Sequence, residues 1–230
     1  MRSLSWFCLL SLTMSLSAAN AAEKPLQLRV LSYNIHHGEG IDRVVDLNRI
    51  ANVINSVHPD IVSLQEVDRA TARVKNQDQP AVLAKATSMQ VIFAQNIPFQ
   101  GGDYGNAILS KHQIVNHKNH QLPNHDNGEQ RGALQATIKL PGNHGNLTFW
   151  ATHLDHRSDP KERIDSAKYL VQFARNSPTS LSILAGDLNA TPASSVLTIF
   201  SKHWFNPIAD KPQPTIPVTK PTKQIDFILA

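Results

Sequence analysis

Leu181-Ser182-Ile183-Leu184-Ala185-Gly186-Asp187-Leu188-Asn189 is the stretch on which the reading of the chain turns. Its first five residues form a short apolar run of strand length, and the run ends in a glycine followed by a carboxylate and an amide. An acid placed where an apolar strand stops stands at the rim of a core, where it can be held rigidly and still meet solvent. Taken alone, Asp187 and Asn189 are more often turn or cap residues than catalytic ones.

The same arrangement recurs along the chain. Asn34 follows the alternating Leu28-Val30-Ser32 segment, Glu66 follows Ile61-Val62-Ser63-Leu64, His153 follows Leu147 to Thr152, and Asp226 lies within the run Ile225 to Leu229. Five strand ends bearing Asn, Glu, His, Asp with Asn, and Asp are hard to assign to turn chemistry alone. Further strands are expected at Val91-Ile92-Phe93, Ala107-Ile108-Leu109 and Ala133 to Leu140.

Helical patterns separate several of these runs. Val44, Leu47, Ala51 and Ile54 recur at helical spacing, with His58-Pro59-Asp60 as the stop. A second helix is expected from Ser158-Asp159-Pro160 onward, with Ile164, Ala167, Val171 and Ala174 on its buried face. Segments 141–146 and 206–223 are rich in Gly, Asn or Pro and read as loops. The outcome is a mixed α/β chain that opens with a βαβ-like unit.

The 230 residues are 41% hydrophobic and 17% charged, enough for one domain with a sizeable core, and there is no internal repeat. Residues 1–21 combine Arg2, the apolar run Trp6-Phe7-Cys8-Leu9-Leu10 and the A-x-A pattern Ala19-Asn20-Ala21, which reads as a signal peptide, leaving residues 22–230 as the mature domain. That predicts a periplasmic or secreted protein. The single cysteine, Cys8, lies inside the leader, so no disulfide is expected. The formal net charge of +4 is too small for the basic stripe of a dedicated nucleic-acid binder.

Oxygen donors dominate the candidate set, and HExxH and CxxC spacings are lacking, so Mg²⁺ or Mn²⁺, with Ca²⁺ possible, fits better than a zinc–thiolate centre. A cation, an acid able to orient water and several hydrogen-bond donors are what hydrolysis of a phosphoester requires. A rival metal site built from His112, His117, His120, His125 and His144 is weaker, because these fall in polar stretches expected to be solvated. In the pair His36-His37, an extended backbone would let at most one ring point inward.

Seven blocks in order, Ser32-Tyr33-Asn34-Ile35-His36-His37-Gly38, Leu64-Gln65-Glu66-Val67-Asp68, Tyr104-Gly105-Asn106-Ala107-Ile108-Leu109-Ser110, Gln130-Arg131-Gly132-Ala133-Leu134, Ala151-Thr152-His153-Leu154, Gly186-Asp187-Leu188-Asn189 and Gln224-Ile225-Asp226-Phe227-Ile228-Leu229, resemble the signatures of the endonuclease/exonuclease/phosphatase superfamily. The resemblance implies a four-layer sandwich of two mixed β-sheets flanked by helices. It implies Glu66 as principal metal ligand and Asn34 as a neighbouring ligand or phosphate contact. Asp187 would activate water, Asn189 would bind phosphoryl oxygens, and His153 would bind phosphate or assist the leaving group. Asp226 would orient a further histidine, while Asn106 and Arg131 would contact substrate.

Members of that superfamily usually continue to a terminal Ser-Asp-His segment, so the resemblance also implies that the last strand is missing here and that catalysis is impaired, leaving a remnant or binding protein as the alternative reading. The substrate would be a phosphoester: nucleic acid, a phospholipid head group or a small phosphodiester. Nothing in the sequence points to an obligate protein partner, and a monomer is expected.

Overall fold

The structure, a computed structural model, describes residues 25–177 and 179–230. The expected leader at residues 1–21, with Cys8, lies outside the described residues. Strands β1 (Val30–Asn34), β2 (Ile61–Arg69), β3 (Gln90–Phe99) and β4 (Gly102–Ser110) form one sheet in the order β1-β2-β4-β3. Strands β5 (Ile114–Gln121), β6 (Gly132–Lys139), β7 (Asn146–His153), β8 (Leu181–Asp187) and β9 (Asp226–Leu229) form the other in sequential order. Both are mixed: β1 runs parallel to β2 and β7 parallel to β8, and the remaining pairs are antiparallel.

Period-2 alternation sends each strand's side chains to two different cores. In β2, Ile61 faces the opposite sheet while Val62 and Leu64 face helices; in β7, Leu147, Phe149 and Ala151 face the opposite sheet while Trp150 faces a helix. Among the described residues, most of the buried apolar side chains accordingly fall into three clusters, one between the sheets and one outside each. Helices α1 (Leu47–Val57) and α2 (Gln79–Thr87) cover the first sheet through Leu47, Ile50, Ile54 and Leu83. Helices α3 (Lys161–Arg175) and α4 (Ser195–Phe200) cover the second through Ala167, Leu170, Val171, Val196 and Phe200. The result is the expected four-layer sandwich.

Local chemistry sets the boundaries. The Asp46 side chain accepts the Arg49 N–H at 3.0 Å and starts α1, so Val44, expected inside the helix, lies before it and is exposed. His58 closes α1 in the left-handed conformation. Asp78 caps α2, which the sequence analysis did not find, and proline follows in its first turn. The Asp159 carboxylate accepts the Lys161 N–H at 2.9 Å at the start of α3.

Strand β5 was also not expected. His117 and His120 belong to it, and His120 is not a solvated loop residue: it is buried between the rings of Trp150 and Phe173 and bonded to the Gln135 side chain at 2.8 Å. His125 likewise pairs with Asp165 at 3.1 Å. Neither histidine has its ring free in a loop to form the rival metal centre.

Candidate functional site

The second sheet places three of the expected residues in one row. His153 ends β7 and is in register with Asp187, the last residue of β8, which in turn pairs with Asp226, the first residue of β9. Close approach of β7 and β8 depends on Gly186: a Cβ there would lie 1.9 Å from the Thr152 carbonyl oxygen. After Asp187 the chain turns sharply; Asn189, with φ 46°, donates its N–H to Asp187 Oδ1 at 2.9 Å and its Nδ2 to the Leu154 carbonyl at 3.0 Å. One amide hydrogen of Asn189 remains for a ligand.

The first sheet supplies the opposing half. In a regular β2, Glu66 would follow Leu64 onto the helix side. Instead Leu64 pairs with Ala107 and Val67 with Gly105, so Gln65 and Glu66 together oppose the single residue Asn106. The extra residue is a β-bulge in which Glu66 takes φ 56°, and bulges re-aim side chains. Val67 thereby returns to the helix-side core, and Glu66 turns toward the strand ends.

Asn34, at the end of β1, joins the two halves. Its Nδ2 donates to Glu66 Oε1 at 2.7 Å and to Asp187 Oδ2 at 3.2 Å, while its Oδ1 accepts the His36 N–H at 3.0 Å. Carboxylates only accept, so these partners fix the amide's orientation. In this arrangement Asn34 presents its nitrogen, not its oxygen, to the acids.

The electrostatics follow from crowding. Burial, with Asp226 next in importance, pushes the Asp187 carboxyl up to about 7, against the pull of hydrogen bonds from the Asn189 N–H and the Asn34 amide. Burial also raises Asp226, with a hydrogen bond from Thr215 opposing it. Burial, then the charge of Arg131 and then His156 hold His153 well below its ordinary value, so it is neutral. Tyr104 is raised, first by burial and then by Glu66 and Glu129, and stays a phenol.

Arg131 is buried, with its NH1 3.1 Å from His153 Nδ1 and its NH2 3.2 Å from His156 Nδ1; Glu129 balances its charge at 3.0 Å. A guanidinium can only donate, so Nδ1 of His153 accepts and the ring proton sits on Nε2. That nitrogen lies 3.7 Å from Asp187 Oδ2. Arg131 thus sets a tautomer as well as carrying charge, and His156, exposed after β7, is a participant the sequence analysis missed. Asn106 is buried and donates to the Gly132 carbonyl at 3.0 Å, tying β4 to β6.

His36 and His37 do not lie on an extended strand as expected. Both take left-handed φ, 47° and 44°, in a tight turn closed by the Gly38 N–H on the Ile35 carbonyl at 2.8 Å. The turn brings a ring nitrogen from each, with a Glu66 carboxylate oxygen, within 4.8 Å of one another. Gln79, fully buried in α2, holds the turn from behind by donating to the His37 carbonyl at 2.7 Å and accepting the Asp68 N–H at 2.9 Å.

A sequence profile of the endonuclease/exonuclease/phosphatase family matches residues 31–230, spanning both sheets and every residue of this site. The chain belongs to that family. The family's members are hydrolases acting on phosphoesters, and the family is generally dependent on divalent metal. Across 213 residues the chain is 27% identical to the Escherichia coli K12 protein YbhP, covering 87% of this chain and 83% of that protein. An endonuclease/exonuclease/phosphatase structure from Beutenbergia cavernae matches with TM-score 0.67 and 27% identity over 88% of this chain; the match spans only 63% of that longer chain. A mannosyl-6-phosphatase from Bacteroides thetaiotaomicron shares the fold with TM-score 0.70 at 22% identity, over 88% of this chain and 85% of that one.

The donor set suits the cation on which the family generally depends. Glu66, Asp187 and Asp226 bring three carboxylates into one neighbourhood, and the last two are raised by burial, the cost a divalent cation relieves. Elsewhere, buried Asp155 and Glu162 are already paired with Arg157 at 2.9 and 2.5 Å, which marks this acidic pair as part of a structural network.

Proposed function

We propose that the chain is an exported, divalent-cation-dependent phosphodiesterase. The observation that carries this reading is the convergence of Glu66 and Asn34 from one sheet with Asp187 and His153 from the other, with Asp187 poised near neutrality. Glu66 would hold the cation, which when bound neutralises phosphate charge and polarises the phosphorus–oxygen bond. Mg²⁺ and Mn²⁺ suit the carboxylate-rich site, with Ca²⁺ a further candidate.

Asp187, whose carboxyl exchanges its proton near neutral pH, accepts the proton of the attacking water. The neutral His153 offers its Nε2–H to a phosphoryl or leaving oxygen, and the second amide hydrogen of Asn189 offers another donor. Asn34 keeps Glu66 and Asp187 apart and oriented. Asp226 sets the basicity of Asp187 through its charge. The substrate class is a nucleic acid, phospholipid head group or small phosphodiester, and export rests on the leader-like residues 1–21.

The test is hydrolysis of bis-(p-nitrophenyl) phosphate and of p-nitrophenyl phosphate by the purified chain, with and without chelator. Chelator-sensitive hydrolysis of the diester, lost in Glu66→Gln, is expected. Activity indifferent to chelator would overturn the cation dependence, and preference for the monoester would overturn the diester assignment.

A further inference from the structure

We infer that His36, His37 and Glu66 form a nitrogen-bearing cation site that selects late first-row transition ions such as Co²⁺ over Mg²⁺. The inference rests on the reading that Glu66 binds a cation and adds imidazoles from the turn after β1 to its protein ligands.

Three independent observations carry it. The candidate ligand atoms, one ring nitrogen from each histidine and one carboxylate oxygen, all lie within 4.8 Å of one another. Atoms each ~2.1 Å from a shared ion are at most ~4.2 Å apart, so the trio closes around an ion with shifts below ~1 Å. Second, His37 is only 7% exposed, yet its Nδ1 has no hydrogen-bond partner, while Nε2 reaches Glu39 Oε2 only at 3.6 Å. A buried imidazole nitrogen without a partner is costly unless something binds it.

Third, all three residues hold left-handed backbones: φ 47° at His36, 44° at His37 and 56° at Glu66. Such a conformation is costly for a non-glycine residue, and such strain concentrates at ligand sites. The strain at Glu66 comes from the bulge and that at the histidines from the turn. Two unrelated distortions therefore point side chains at one place, and the buried bond from Gln79 to the His37 carbonyl holds the turn there.

The chemistry of the donors sets the selectivity. Mg²⁺ prefers oxygen ligands and retains water, whereas imidazole adds affinity for Co²⁺, Ni²⁺ and Zn²⁺. Backbone constraint also decides the probe variant. Asn is the residue best suited to left-handed φ after glycine, so His36→Asn removes an exposed imidazole and keeps the turn.

The experiment is calorimetric titration of the metal-free chain with CoCl₂ and MgCl₂, together with absorption spectra of the Co²⁺ form, for the wild type, His36→Asn, His37→Asn and Glu66→Gln. The wild type should bind Co²⁺ at least ~10-fold tighter than Mg²⁺. His36→Asn should weaken Co²⁺ by ~10-fold or more, change the visible band of the Co²⁺ form and narrow the preference for Co²⁺ over Mg²⁺. Co²⁺ affinity and spectrum unchanged in both histidine variants, with circular dichroism showing them folded, would overturn the proposal. That failure is distinct from failure of the cation reading itself, which would show as undiminished Mg²⁺ binding in Glu66→Gln.

Discussion

The Nδ2 atom of Asn34 lies 2.7 Å from an oxygen of Glu66, and the same atom reaches Asp187 in the opposite sheet at 3.2 Å. One neutral donor thus separates two acids carried by different sheets. The bond between Asn34 and Glu66 fixes the bulged residue, and the bond to Asp187 lowers that carboxyl against the burial that raises it. A donor at this position is what lets the two carboxylates sit side by side.

Replacing that donor by an acceptor should show its value. Asn34→Asp puts a third carboxylate against two others, so the variant should lose about 1–3 kcal/mol at pH 8 in chelator. Protonation should restore part of this near pH 5, and Mn²⁺ should raise its melting temperature more than it raises the wild type's. Melting curves at both pH values decide the matter; a variant as stable as the wild type at pH 8 would mean that the Asn34 bridge contributes nothing.

Asp187 should govern the acid side of the rate profile. A base must be deprotonated to act, and burial together with Asp226 holds this carboxyl near 7, so at low cation concentration kcat should rise as pH increases and level off above about 7. A bound cation favours the carboxylate, so increasing cation should move the limb to lower pH. Asp187→Asn should cost about 10²–10⁴ in kcat and abolish the limb. A limb that persists in Asp187→Asn would assign it to another group.

Much of the fold was legible because β2, β7 and β8 alternate between two cores, and because the chemistry sits where those apolar runs stop. Strand β5 was not, since it is an edge strand whose exposed Asn116, His117 and Lys118 read as loop. Helix α2 escaped because the short run Gln79–Thr87 presents only Leu83 firmly to the core and buries the polar Gln79 as well. The bulge carries a local signal: Leu64 and Val67 are both apolar three positions apart, a spacing that period-2 alternation cannot put on one face without an extra residue. The Arg131–His156 contact and the Gln79 bridge join residues 25 and 42 positions apart, and no local pattern encodes them.

Gly186 is the backbone condition for the row of His153, Asp187 and Asp226. Gly186→Ala would drive a methyl to within 1.9 Å of the Thr152 carbonyl oxygen, and because that atom is backbone in a paired strand, the strands themselves must part. The expected loss is about 1–3 kcal/mol or more, a fall of several degrees in melting temperature for a domain of this size. Activity should fall further than stability does, since His153 and Asp187 are the next residues on the separated strands. A variant that melts with the wild type and retains its kcat would show that the two strands tolerate the spacing.

His153 should leave a signature in stability as a function of pH. Burial, Arg131 and His156 hold its imidazole well below the ordinary value, so the folded protein binds fewer protons here than the unfolded chain once the pH drops below about 6.5. Its contribution to stability is present above that pH and is lost as pH falls toward the folded value, by at most about 1.4 kcal/mol per unit. The groups facing the ring are Arg131, His156 and Asp187, and Asp187 acts in the opposite sense: a raised carboxyl contributes stability at low pH that is lost as pH rises toward 7. Comparing variants separates the two. His153→Gln retains an acceptor for Arg131 but cannot titrate, and Asp187 is present in both proteins. Between pH 7.5 and 5 the wild type should therefore lose several degrees of melting temperature relative to His153→Gln. Parallel curves for the two proteins would mean that the folded His153 takes up its second proton over the same pH range as the unfolded chain does, and that burial and Arg131 do not hold it neutral.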